Sequence, residues 1–302
     1  MIKYSIVIPI FNEEKVLEKL REELTKTFSS LDGDYEFILV NDGSGDATPA
    51  ILNKFCEENS HFKAIHLSRN FGQQAALVAG FDNVKGEAII VMDADMQDPP
   101  ELVFKFIEKW KEGYDVVFGI RIKRREWFGK RFTYWFFYRV LKILSSLEIP
   151  MDAGDFSSKD SKVVNVIRSL PERNVFIRGF RYWAGFKQYG VNYSRPKRFG
   201  GVSKYSLKKL FRLALDGIFS FSYVPLKLIT WLGSIILMLS VIVFSGTLII
   251  KGWVQNILVV TSVFFMGGVQ LLVLGLLGEY LSRIYEEVKH RPLYIIKNKV
   301  GF

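Results

Sequence analysis

Cysteine is almost missing from this chain: Cys56 is the sole one among 302 residues. An internal disulfide is therefore excluded, and the composition suits a reducing compartment. Histidine is nearly as scarce, and His61, His66 and His290 show neither metal-ligand nor catalytic spacing. The N-terminal apolar run is too short for a signal peptide and soon meets Glu13 and Glu14. No nucleic-acid-binding motif is present, although the net charge is +10. Charge itself is missing from two long stretches, residues 228–250 and 252–278. Each is long enough to cross a bilayer as a helix, which takes about 20 residues.

Many of the basic residues lie in two stretches, 121–142 and 195–212, both interleaved with aromatics. The second stands just before the uncharged tail, which favours an anionic membrane surface over nucleic acid as the partner. Only the short connection Lys251-Gly252-Trp253-Val254-Gln255-Asn256 separates the uncharged stretches, so a two-helix transmembrane hairpin is expected. Lys204, Lys208, Lys209, Arg212 and Lys227 precede it; Arg283, Lys289, Arg291, Lys297 and Lys299 follow it. By the positive-inside tendency, both termini and the N-terminal domain are expected on the cytoplasmic side of the cell membrane. Residues 127–147 and 203–222 carry apolar side chains beside basic ones, as helices lying in the headgroup layer do. An ordinary core-facing helix is the alternative for each. The expected organisation is a cytoplasmic N-terminal domain over 1–202, an interfacial region over 203–227, two spans over 228–282 and a cytoplasmic tail over 283–302.

The rest of the chain repeats one layout. Residues 4–8, 35–40 and 88–92 are apolar runs that read as buried strands. Each meets a polar turn: Pro9-Ile10-Phe11-Asn12-Glu13, Asn41-Asp42-Gly43-Ser44 and Asp93-Ala94-Asp95-Met96-Gln97-Asp98-Pro99-Pro100-Glu101. Helix-like stretches follow over 14–30 and 47–59. Strand, turn and helix in alternation predict an α/β domain with a mostly parallel sheet. Ligands of such sheets bind beyond the carboxyl ends of the strands, so three acidic turns point to one site. Asp93 and Asp95 leave the strand end one residue apart, and Gln97 can add an amide oxygen. Oxygen ligands of this kind suit Mg²⁺ or Mn²⁺ held jointly with substrate phosphates.

These turns resemble the nucleotide-sugar motifs of family-two inverting glycosyltransferases, which have a GT-A fold. Ser68-Arg69-Asn70-Phe71-Gly72, Met151-Asp152-Ala153-Gly154-Asp155-Phe156, Leu170-Pro171-Glu172-Arg173 and Ser203-Lys204-Tyr205 resemble one branch of that family. It is the polyprenyl-phosphate glycosyltransferase branch, related to dolichol-phosphate mannose synthase and to bacterial undecaprenyl-phosphate glucosyltransferases. The resemblance implies donor contacts from Pro9, Phe11, Glu13, Asp42 and Asp93, and a metal held by Asp95 with Asp93 and Gln97. It implies that Arg121 and Arg131 bind the acceptor phosphate, and that Arg198 and Lys204 help close the site over the donor diphosphate. It also implies Asp155 and Asp95 as catalytic residues and, by analogy, a homo-oligomer.

The activity so implied is inverting transfer of a hexose, glucose first, from a UDP-sugar to polyprenyl phosphate. Two other readings stand beside it. One is a polysaccharide synthase, disfavoured by the absence of a Gln-x-x-Arg-Trp motif; the other is a non-catalytic sugar-nucleotide-binding scaffold. Relatives usually read Asp-Phe-Arg-Leu where this chain has Asp155-Phe156-Ser157-Ser158, so the cation that holds Asp155 must come from elsewhere, with Lys159 one candidate. The aspartate at that position is taken as a base in relatives. Yet a phosphate monoester with a second pKa of about 6 is largely dianionic at neutral pH. Asp155 is therefore expected to orient arginines or sugar hydroxyls rather than remove a proton.

Overall fold

Strands covered on both faces must be apolar along their whole length. In the computed structural model, which describes residues 2–121, 153–173, 175–194, 224–247 and 253–302, such strands form the centre of one sheet. They are β1 (Tyr4–Ile10), β2 (Tyr35–Asn41), β3 (Phe62–Leu67) and β4 (Ala88–Val91), parallel and ordered β4-β1-β2-β3. Helices α1 (Leu17–Phe28), α2 (Thr48–Glu58) and α3 (Gln73–Phe81) connect them. The first two fall inside the stretches expected to be helical. Leu17, Leu20, Leu24 and Phe28 recur on one face of α1 and bury against Phe37, Leu39 and their neighbours.

The second half of this unit adds α4 (Leu102–Lys111), β5 (Val116–Arg121), β6 (Ala153–Asp160), α5 (Ser161–Ser169), α6 (Ile177–Trp183) and β7 (Gln188–Tyr193). Here β6 runs antiparallel to both β4 and β5, while β5 and β7 are parallel. Sequence patterning did not single out β6, because polar Asp155, Ser157 and Lys159 interrupt any apolar run. All three are buried. Residues 296–300, expected only as tail, form β8 (Ile296–Val300) antiparallel to β3. That strand covers a sheet edge that would otherwise expose unpaired backbone groups. Hydrogen bonds from Tyr294 to Asp82 (2.6 Å) and from Lys299 to Asn83 (2.5 Å) hold it in place. The complete order is β7-β5-β6-β4-β1-β2-β3-β8.

Pro9 occupies an interior strand, where a missing N–H is normally excluded. It is tolerated because pairing of β1 with β4 ends at Val7, two residues earlier. At the opposite end of the sheet, Glu36 accepts from Ser5 Oγ (2.5 Å), Lys63 Nζ (2.6 Å) and the Lys85 backbone N–H (2.8 Å). One buried carboxylate thus ties β1, β2, β3 and the segment leading to β4.

A second unit holds α7 (Val224–Thr247) and α8 (Trp253–Val288). With 36 residues α8 is about 54 Å long. It starts at Trp253 and ends at Val288, so the expected loop to Asn256 is partly helical and the helix outruns its expected end at 282. Phe264, Leu271 and Leu272 are 78%, 72% and 76% exposed, the signature of a surface meant for lipid or protein. Among the described residues one segment, Val259–Val288, is long and apolar enough to cross a membrane, and α7 contributes the shorter apolar stretch Ile229–Ile242. The two candidate interfacial stretches, 127–147 and 203–222, lie outside the described residues.

Removing a partner from a buried ion pair costs about 3 kcal/mol or more, because the remaining charge stays desolvated. Glu36→Ala is therefore expected to lower stability by about 3 kcal/mol in urea titrations of the detergent-solubilised chain, followed by tryptophan fluorescence. A change below about 0.5 kcal/mol, as ordinary surface substitutions give, would show that the network contributes little.

Candidate active site

Parallel strands end at a common edge, and the turns read from the sequence meet there. The turn after β1 and the turn after β2 are bonded into one structure. Asn12, in the left-handed region at φ 51°, accepts from the Gly45 N–H (2.9 Å), and its own N–H donates to Ser44 Oγ (2.9 Å). The Glu13 N–H donates to Thr48 Oγ1 (3.2 Å), and Glu14 accepts from the Ala47 N–H (3.0 Å). Phe11 and Glu13 therefore sit on a turn whose backbone is fixed by its neighbour.

Asp42 is buried, and its two carboxylate oxygens accept from the Phe71 N–H (2.7 Å) and the Gly72 N–H (3.0 Å). Burial pushes this carboxyl up, and those two bonds and Arg69 only partly offset it. The side chain expected to meet a nucleobase is thus also the organiser of the loop Ser68 to Gly72. Gly43 follows at φ +65°, with the place of a Cβ only 2.2 Å from the Arg69 carbonyl carbon, so no larger residue fits.

Beyond β4, Asp93 accepts from Gln73 Nε2 (3.0 Å) and Asp95 accepts from the Gln97 backbone N–H (3.1 Å). Met96 takes a left-handed φ of 59° between them. Gln97 is thus seen to shape the turn through its main chain. Asp98, quoted in the motif but given no role there, is fully buried: Tyr193 Oη donates to it (2.9 Å), as does the Asp93 N–H at 3.4 Å. Among the described residues no group of three or more His, Cys, Asp or Glu side chains could cage a metal. Two neighbouring carboxylates on one turn instead fit a hard cation that completes its shell with substrate phosphates and water.

The register of β4 with β6 pairs Val91 with Ser157, and continued past the end of β4 it sets Asp155 level with Asp93. Asp155 is held by a two-pronged ion pair with Arg178 on α6, Nε to Oδ1 and Nη2 to Oδ2, each 2.8 Å. Burial raises its carboxyl, but Arg178, then Lys159 and Arg181, outweigh that, leaving it below the ordinary aspartate range. The cation that holds Asp155 is therefore Arg178, which sequence spacing did not reveal. Lys159 bonds to Ser157 Oγ (2.7 Å), and Ser157 in turn donates to the Asp155 carbonyl (2.7 Å). Arg181, equally buried, lies over the Phe118 ring at 4.4 Å. Arg121 closes β5 and donates from Nε to Tyr193 Oη (3.3 Å). Arg131, Arg198 and Lys204 lie outside the described residues.

A family profile described as Glycosyl transferase family 2 matches residues 5–166. An uncharacterized glycosyltransferase of Synechocystis sp. is 46% identical over 99% of this chain and 96% of its own. A protein named bactoprenol glucosyl transferase, from Shigella phage SfV, is 39% identical over 98% of this chain and 99% of its own. The crystal structure of mannosyl-3-phosphoglycerate synthase from Rubrobacter xylanophilus superimposes with a TM-score of 0.50, at 14% identity over 71% of each chain. At that identity the similarity is one of fold, and it bears out the GT-A expectation.

Lys159 gives this site a pH signature. Burial, then the like charge of Arg181, push its amine down to about 7, with Asp155 opposing. The unfolded chain then holds more protons than the folded one between pH 7 and the ordinary lysine range, so stability from this group rises with pH there. Relative to Lys159→Met, the wild type is expected to gain on the order of 1–2 kcal/mol between pH 7 and 9 in chemical denaturation. A stability difference that stays flat with pH would show an amine with an ordinary titration.

Proposed function

The chain belongs to glycosyl transferase family 2, and on that premise we propose that it transfers glucose from UDP-glucose to polyprenyl phosphate with inversion. The observation that carries the reading is the order of functional groups along the sheet edge. Read from β2 to β5 through β1, β4 and β6, that edge presents Asp42, Phe11 and Glu13, Asp93 and Asp95, Asp155, then Arg121. A nucleoside, a diphosphate, a sugar and an acceptor phosphate follow the same order. Relatives named bactoprenol glucosyl transferases match this chain over nearly its full length, tail included, which supports both the sugar and the lipid acceptor.

On this reading Phe11 offers an apolar face to the base, beside Pro9 and Glu13, and Asp42 adds an acceptor while fixing the loop behind it. Asp93 and Asp95, with Gln97 on the same turn, would hold Mg²⁺ or Mn²⁺, which supplies Lewis-acid stabilisation to a departing diphosphate. Arg121, joined by Arg131, pairs with the acceptor phosphate, for which a guanidinium fork is suited. Arg198 and Lys204, outside the described residues, are the cations that the family resemblance assigns to the donor diphosphate. An acceptor oxygen forms the new bond to the anomeric carbon as the bond to the diphosphate oxygen breaks, inverting the centre. The acceptor dianion needs no deprotonation, so Asp155, ionised and bound to Arg178, positions groups at the sugar rather than taking a proton. The membrane unit would form a two-span hairpin, with the catalytic unit and both termini in the cytoplasm, where nucleotide sugars are made.

Incubating the solubilised protein with radiolabelled UDP-glucose and polyprenyl phosphate is expected to give a chloroform-soluble, mild-acid-labile product. Chelation with EDTA should abolish it and added Mg²⁺ or Mn²⁺ restore it, and Asp95→Ala should lose at least about 100-fold in turnover, several kcal/mol of barrier. Product from another nucleotide sugar alone would overturn glucose; no lipid-linked product from any would overturn the acceptor. Near-normal turnover by Asp95→Ala would end the metal assignment.

Orientation is tested separately. In a Cys56→Ser background, Asn256→Cys is expected to react with an impermeant thiol reagent added outside intact cells, and Lys299→Cys is not. Labelling of Lys299→Cys alone would invert the topology.

A further inference from the structure

Arg121 does not stand by itself at the end of β5. Its strand pairs in parallel with β7, and the register sets Arg121 directly beside Tyr193. Arg121 Nε donates to Tyr193 Oη at 3.3 Å, and Tyr193 Oη donates to Asp98 Oδ1 at 2.9 Å. The other oxygen of Asp98 accepts the Asp93 N–H at 3.4 Å. The direction of the string is forced. A guanidinium has no acceptor, so the tyrosine proton must point to the carboxylate. Two glycines make the room: a Cβ on Gly119 would stand 2.6 Å from Tyr193 Cε1, and one on Gly154 would stand 2.9 Å from Arg121 Nη2.

Packing alone does not explain these polar atoms. The Tyr193 ring fills its space against Phe156, with centroids 5.8 Å apart, and a phenylalanine would fill it equally. Asp98 is fully buried, and a desolvated carboxylate is costly unless its oxygens are bonded. Both hydroxyl and carboxylate are instead spent on two functional neighbours, the acceptor-side arginine and the carboxylate turn.

We propose that Tyr193 and Asp98 are positioning residues that aim the Arg121 guanidinium at the acceptor phosphate and lock it to the Asp93–Asp95 turn. The inference rests on the reading of Arg121 as the acceptor-phosphate ligand. It adds that one side of the site is mechanically tied to the other. Tyr193 bonds to both Arg121 and Asp98, and Asp98 carries the string on to the Asp93 N–H.

The test is equilibrium binding of a short-chain prenyl phosphate and, separately, of UDP with Mg²⁺ to the full-length protein in detergent. Tyr193→Phe removes both bonds of the hydroxyl. It is expected to weaken prenyl phosphate about five- to tenfold through the lost Arg121 contact, the size of one hydrogen bond. UDP should stay within about twofold, because the Asp93 N–H keeps its bond to Asp98. Asp98→Asn keeps the shape but sets an amide donor against either Tyr193 or the Asp93 N–H, and is expected to weaken both ligands. In an Arg121→Ala background, Tyr193→Phe should have no further effect, because coupled residues are not additive. Equal effects of Tyr193→Phe in both backgrounds, or none in the wild type, would overturn the inference while leaving Arg121 in its role. Unchanged prenyl phosphate binding in Arg121→Ala alone would overturn the acceptor reading and this inference with it. Thermal melts of each variant within a few degrees of wild type establish that the losses are not unfolding.

Discussion

The antiparallel entry of β6 between β4 and β5 is the constraint on which the site depends. A parallel sheet delivers the ends of β1, β2 and β4 to one edge, which is enough for a nucleotide and its phosphates. A second reactant needs groups on the far side of the sugar, further along the same edge than β4. Because β6 runs the other way, it begins where β4 ends and brings Asp155 to the level of Asp93. Because β5 is antiparallel to β6, it returns to the same edge and delivers Arg121. On the proposed reading, two reversals give one edge both donor-side and acceptor-side chemistry.

The same strand shows how the protein handles buried charge. Alternation sends Phe156 to the apolar layer, against Phe106 at 4.8 Å, and sends Asp155, Ser157 and Lys159 to the other face. There Arg178 and Arg181 of α6 join them, so one carboxylate faces three basic side chains in the interior. Such an arrangement is expensive in desolvation and is a poor way to stabilise a fold. It does hold Asp155 ionised and in one orientation, as the role proposed for it beside the sugar requires. Asp42 shows a related compromise, its carboxylate raised by burial yet bonded to two backbone N–H groups of the next loop.

Local features were legible without the structure. The apolar runs of β1, β2 and β4, the polar turns after them and the uncharged stretches of the tail each announce themselves through neighbouring residues, because hydrophobic periodicity and turn chemistry are short-range properties. That is why the fold class, the position of Asp93 and Asp95 at a strand end and the membrane-directed tail could be stated from the chain alone. Family resemblance extended this to Asp155 and Arg121 because their motifs are contiguous.

What stayed hidden involves partners far apart in sequence. Arg178 reaches Asp155 across 23 residues, Tyr193 reaches Asp98 across 95, and β8 joins β3 after more than two hundred residues of intervening chain. A polar residue looks the same in sequence whether it faces water or a buried partner, so the chain alone does not show that Asp98, Asp155, Ser157 and Lys159 are all buried. The sequence by itself determined the central strands β1, β2 and β4, the turns after them and the chemistry those turns can offer. Only the tertiary structure decided which charges face each other, because a buried hydrogen bond is set by the meeting of distant segments and leaves no periodic mark in either.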